Sequence, residues 1–97
     1  FVVAHVVEDP PPAVGAAVRV DVDPTRRAAL SAGHTACHLA ALALDAALAE
    51  AWSKPAPTDA LGHPAFDALA IESSRIHPHG STDTYRIGRS LRRKGFT

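Results

Sequence analysis

Valine repeats at one end of the chain while alanine and leucine fill its middle, and the two patterns predict different elements. Residues 1–7, rich in valine, predict a strand. Glu8 to Pro12 ends it, because successive prolines have no N–H to give to a ladder. Val14-Gly15 is a turn signal. Val18, Val20 and Val22 then alternate with Arg19 and Asp21, the period of a half-buried strand. These two strands are expected to pair as a short antiparallel unit.

Asp23-Pro24 marks a helix start. Asp23 can accept from the free amides of the first turn, and Pro24 suits the first helical position, where no amide is needed. From there to about Trp52 the chain is dominated by Ala and Leu, strong helix formers. Gly33 is the weak point of this helix, costing about 1 kcal/mol against Ala in an exposed setting. Such a glycine marks either close approach by another backbone or ligand, or simple tolerance. Ser53 to Pro64 reads as a loop, with Pro55, Pro57, Gly62 and Pro64. Ala65 to Ile71 is a strand or a helical turn, with the strand reading extended through Ile76. His77-Pro78-His79-Gly80 is a second loop, and Ser81 is read as N-cap of a second helix over Thr82–Lys94, with Gly95 just past its end.

Composition narrows the class. At 97 residues the chain holds one domain at most, or part of one. Its richest apolar stretch, Thr35 to Trp52, carries His38, Asp45 and Glu50 and falls short of the ~20 apolar residues of a membrane span. No membrane partner and no secretory signal are indicated. The single cysteine, Cys37, excludes an intramolecular disulfide and fits a cytoplasmic location. Charge sums to +0, but it is unevenly placed. Arg86, Arg89, Arg92, Arg93 and Lys94 follow Thr84 with no acid among them, which is either a phosphate-attracting patch or a solvated face.

The segment with chemistry in it is Ser31-Ala32-Gly33-His34-Thr35-Ala36-Cys37-His38-Leu39. Residues four apart on a helix stand one above the other, so His34 and His38 project from the same face and can both reach one ion. Zinc takes imidazole nitrogen at about 2.0–2.1 Å, and such a pair fills two tetrahedral positions. A helical histidine can also be a hydrogen-bonded core residue. Cys37 lies about 100° round the helix from His38 and reads as a small buried apolar residue.

The string His34-Thr35-Ala36-Cys37-His38-Leu39 resembles the His-Thr-Ala-x-His-Leu signature of alanyl-tRNA synthetase editing domains and their free-standing AlaX relatives. Threonyl-tRNA synthetase editing domains share that fold. The resemblance covers Val6 to about Leu48 and includes Val14-Gly15, Val18, Val20, Val22-Asp23 and the double arginine Arg26-Arg27. It fades beyond Trp52, and Ser53 to Gly80 has no counterpart.

What this resemblance implies is an α+β fold: a long metal-ligand helix packed on an antiparallel sheet, preceded by the end of a small β-barrel-like domain. Residues 1–22 would end that β domain, and 23–97 would form the first, incomplete part of the editing domain. It implies Zn2+ held by His34 and His38 plus a distant Cys-x-x-x-His pair, which this sequence lacks. The implied activity is ATP-independent, metal-dependent hydrolysis of the ester on mischarged tRNA, such as serine or glycine on alanine tRNA. Thr35 then meets substrate or serves as a helix-packing hydroxyl; Arg26 and Arg27 meet tRNA phosphate or are surface charges. No catalytic group is assigned. The alternatives are a non-catalytic tRNA-binding module that uses Arg89, Arg92 and Arg93 as its electrostatic footprint, and a purely structural piece.

Overall fold

The computed structural model describes all residues, Phe1–Thr97. Helix α1 spans Pro24–Ala47, 24 residues. The Asp23 carboxylate accepts from the amides of Thr25 and Arg26 at 3.0 and 3.2 Å, and Pro24 opens the first turn. A short 3₁₀ turn at Ala49–Ala51 follows the helix. Helix α2 covers Phe66–Ala70, strands β1 and β2 cover Ile71–His77 and Gly80–Tyr85, and helix α3 covers Arg89–Arg93. The strands form a two-stranded antiparallel sheet, so the architecture is α+β, with one long helix packed against a hairpin.

The residues of α1 that face the fold change size along its length. Ala29 and Gly33 are buried, Cys37 and Ala41 are half-buried, and Leu44 and Leu48 complete the same stripe at steps of three and four. Small residues let the hairpin come very close. A Cβ on Gly33 would stand 2.4 Å from the His77 carbonyl oxygen and 2.5 Å from that of Gly80, and the His79 amide donates to the Ala29 carbonyl at 2.9 Å. Of the two readings of Gly33, the structure selects close backbone approach.

The large residues lie further along. Phe66, Ala70, Leu91 and Phe96 form the buried core, with Leu44, Leu48, Trp52 and Tyr85 packed around it. Burying side chains such as Leu91 and Phe66, 2% and 3% exposed, stabilises by about 1.5–3 kcal/mol each. The chain end is tied to this core: Ser53 N–H donates to Gly95 O at 2.7 Å and Thr97 N–H to Ala51 O at 2.8 Å. Gly95, with φ 113, makes the turn that permits it.

Three expectations are corrected. The helix expected over Thr82–Lys94 is a strand followed by the short α3. Ser81, Asp83 and Tyr85 are half-buried while Thr82 and Thr84 are exposed, and that alternation belongs to a strand. Gly95 does lie just past the final helix, as expected. The strand reading of Ala65–Ile76 holds only from Ile71; Phe66–Ala70 is helical because Phe66 and Ala70, four apart, both enter the core. Finally, residues 1–22 form no ladder and are exposed throughout, so the expected pairing of 1–7 with 18–22 is not made. Two short strands with no apolar layer beneath them gain too little burial to offset the entropy of ordering. This extended arm accounts for the 60 × 26 × 19 Å outline. No helix is long and apolar enough to cross a membrane.

Candidate functional site

His34 and His38 sit one turn apart on the middle of α1, and their Nε2 atoms approach to 2.9 Å. The rings tilt toward each other with centroids 4.7 Å apart. Both residues are solvent-exposed, so neither is a core histidine satisfied by burial. At this separation one ring nitrogen can donate to the other. Two nitrogens on a tetrahedral zinc stand about 3.3–3.4 Å apart. The pair therefore needs to open by only a few tenths of an ångström to grip one ion. It supplies two ligands and no more: no group of three or more His, Cys, Asp or Glu converges anywhere in the chain.

The two histidines open on different cavities. His34 lines an open groove of about 610 Å³ with Asp23, Arg26, Arg27, Leu30 and Ser31, closed on one side by Ile76 of β1. His38 lines a smaller cavity of about 370 Å³, walled by Asp45, Asp59 and Asp67 and by several alanines. One side of the pair is thus rich in arginine and the other in carboxyl groups.

The acidic wall is built from distant parts of the chain. Asp45, on α1, is 3% exposed, and its Oδ1 accepts from the Asp67 amide at 2.7 Å, capping the first turn of α2. Asp67 in turn accepts from the Tyr85 hydroxyl at 2.6 Å. Burial raises the Asp45 carboxyl above the ordinary aspartate value; the Asp67 amide works against this, and the neighbouring Asp59 and Asp67 carboxyls add to it. At Asp59 burial opposes ionisation. Amide donors from His63 and Leu61, at 3.0 and 2.9 Å, outweigh that, so Asp59 lies below its ordinary value. Tyr85 is pushed upward by burial and by its bond to Asp67.

Of the residues singled out from sequence, Arg26, Arg27 and His34 come together in one cavity. Thr35 is exposed, about 100° round the helix from His34. Arg89 lines a separate cavity with Glu72 and Arg86, and Arg92 and Arg93 are exposed on α3. Arg86 is paired with Glu72 at 2.8 Å, whereas Arg89, Arg92 and Arg93 have no acidic partner. Cys37 faces the hairpin, its Sγ 4.0 Å from Ser74 Oγ, away from the imidazole pair. The Asp45–Asp59–Asp67 wall was not foreseen from sequence. Its available signal was Asp45 itself, a lone carboxyl in the apolar run between Leu39 and Leu48. No protein-family model, no curated protein and no solved structure matches the chain.

Proposed function

We propose that the chain carries part of the catalytic site of a metal-dependent hydrolase that removes a wrong amino acid from tRNA. The observation that carries this reading is the convergence of His34 and His38 Nε2 atoms on an exposed ridge, inside the His-Thr-Ala-x-His-Leu string. His34 and His38 would hold Zn2+, with the remaining ligands drawn from water, substrate or another stretch of protein. When bound, such an ion polarises an ester carbonyl or acidifies a water molecule.

The surroundings suit an aminoacyl ester on a nucleotide. Arg26 and Arg27 border the groove beside His34, where the guanidinium fork matches phosphate oxygens. The carboxyl groups beside His38 suit the ammonium of an aminoacyl group, and the alanines between them suit a small side chain. The ester joining the two would then lie across the imidazole ridge. Thr35 is left to the helix surface.

The test is zinc content and deacylation by the intact protein, using alanine tRNA charged with serine or glycine. Stoichiometric zinc and turnover are expected, both falling at least tenfold in His34→Ala and His38→Ala. Metal-independent tRNA binding without turnover would instead favour a binding module that uses Arg89, Arg92 and Arg93, three arginines of α3 that have no acidic partner.

A further inference from the structure

Residues 1–22 leave a large apolar surface unused. Val18, Val20 and Val22 are 60–74% exposed and alternate with Arg19 and Asp21, which pair with each other at 3.1 Å. The chain exposes 7758 Å², whereas a compact monomer of its 10.1 kDa exposes about 5,300 Å². The excess of about 2,500 Å² is several times the roughly 800 Å² per partner that a stable interface buries.

The sheet offers a matching edge. His77 and Gly80 flank the two-residue turn as a hydrogen-bonded pair, and such pairs alternate down the ladder. The backbone groups of Ser81 and Asp83 therefore point away from β1, and no residue outside the ladder bonds to them. β1 borders the His34 groove through Ile76, so β2 lies toward the other flank of α1. That flank carries Ala32, Ala36, Leu39, Ala40 and Ala43, all exposed and centred about 180° round the helix from His34. A strand laid along β2 would meet free amides and carbonyls on one side and an apolar floor beneath. Val18, Val20 and Val22 suit the floor; Arg19 and Asp21 suit the outer face, beside the exposed Thr82 and Thr84.

The chain's own arm is badly placed to supply this strand. Val22 lines the His34 groove and Asp23 caps α1, so the arm departs on the β1 flank. We propose that two copies of the chain exchange arms, residues 18–22 of each pairing as a third strand along β2 of the other. Arm and edge lie on the same chain, so a two-fold axis satisfies both at once and the assembly closes at two. The third strand gives the hairpin the apolar layer that a lone pair of strands lacks. The exchange uses the flank of α1 away from His34 and stands independently of the hydrolase reading.

Sedimentation equilibrium of the intact chain, read together with amide exchange, tests the exchange. The mass should be twice 10.1 kDa at micromolar concentration, with the Ser81 and Asp83 amides protected. Val18→Ser combined with Val20→Ser removes buried valines from both arms and should weaken the dimer at least tenfold. It should also expose the two amides and leave helix content unchanged. Leu39→Glu, on the receiving face, should weaken the dimer as much. Leu61→Ser, which changes an exposed apolar side chain outside this surface, should have no effect. A dimer that survives the valine and Leu39 substitutions would overturn the exchange. So would a monomer, and protected Ser81 and Asp83 amides in that monomer would place the chain's own arm on β2 instead.

Discussion

Replacing Gly33 with alanine sets two physical effects against each other. Helix propensity alone predicts a gain of about 1 kcal/mol, since alanine loses less backbone freedom than glycine. The packing predicts the reverse. The new methyl would lie 2.4 Å from the His77 carbonyl oxygen, 2.5 Å from that of Gly80 and 2.9 Å from the Gly80 nitrogen, all backbone atoms. Ordinary contact begins near 3.4 Å, so the hairpin turn must retreat by roughly an ångström. Overpacking of this kind costs about 1–3 kcal/mol. The retreat also breaks the bond from His79 N–H to Ala29 O, worth about 0.5–1.5 kcal/mol. Offsetting these against the propensity gain leaves a net destabilisation of about 0.5–3.5 kcal/mol. Denaturant unfolding of wild type and Gly33→Ala measures it, with Ala36→Gly at an exposed position of the same helix as the propensity control. Amides of β1 and β2 should lose exchange protection in Gly33→Ala and keep it in the control. A Gly33→Ala protein as stable as wild type, or more so, would refute the claim that the hairpin is seated on this glycine.

The other expectations concern the core and the basic end. Tyr85 is the sole tyrosine, so phenolate absorbance reports it alone; its midpoint should lie above the ordinary tyrosine value, and the stability tied to its neutral form should fade as pH rises past that value. Tyr85→Phe should cost about 1–2 kcal/mol by removing the bond to Asp67, measured by denaturant unfolding, and an unchanged midpoint would count against that bond. On the binding-module reading, replacing Arg89, Arg92 and Arg93 together by glutamine should weaken tRNA binding and lower the salt slope by about 0.7–0.9 for each phosphate left without its cation; an unchanged slope would reject that reading of α3.

The long helix and its capping were legible because their signals are local. Asp23-Pro24 and the Ala/Leu run needed no partner to be read, and the imidazole pair followed from helical spacing alone. The hairpin was hidden for the opposite reason. Ser81 and Thr82 to Lys94 carry plausible capping and charge signals for a helix, and only seating against α1 decides for a strand. Pro78-His79 forms the turn, with His79 at φ 60, a left-handed conformation that histidine tolerates better than most residues but that no turn motif in the sequence marked. The residues 1–22 show the limit of pattern reading: alternating valines specify which face a strand would bury but supply nothing to bury it against. The acidic wall was hidden more deeply, because Asp45, Asp59 and Asp67 meet only through tertiary contact.

The division of α1 between small and large side chains bears on how the site behaves. Toward its C-terminus the helix is held by Leu44 and Leu48 against Phe66, Leu91 and Phe96, packing that gives way only with the core itself. Around His34 and His38 it is held by Ala29 and Gly33 against the backbone of a two-residue turn and by Cys37 near Ser74 of β1, with Ile76 still 37% exposed. Little apolar area is buried there, so local opening should begin in the hairpin turn before the core yields. Two histidines on that stretch of helix keep a fixed Cβ spacing, because the helix sets it, and their rings need only a small adjustment, while the groove beside His34 has a wall that can move. An adjustable wall beside histidines anchored on one helix would suit the proposed hydrolase, whose site would have to admit a bulky ester next to an ion.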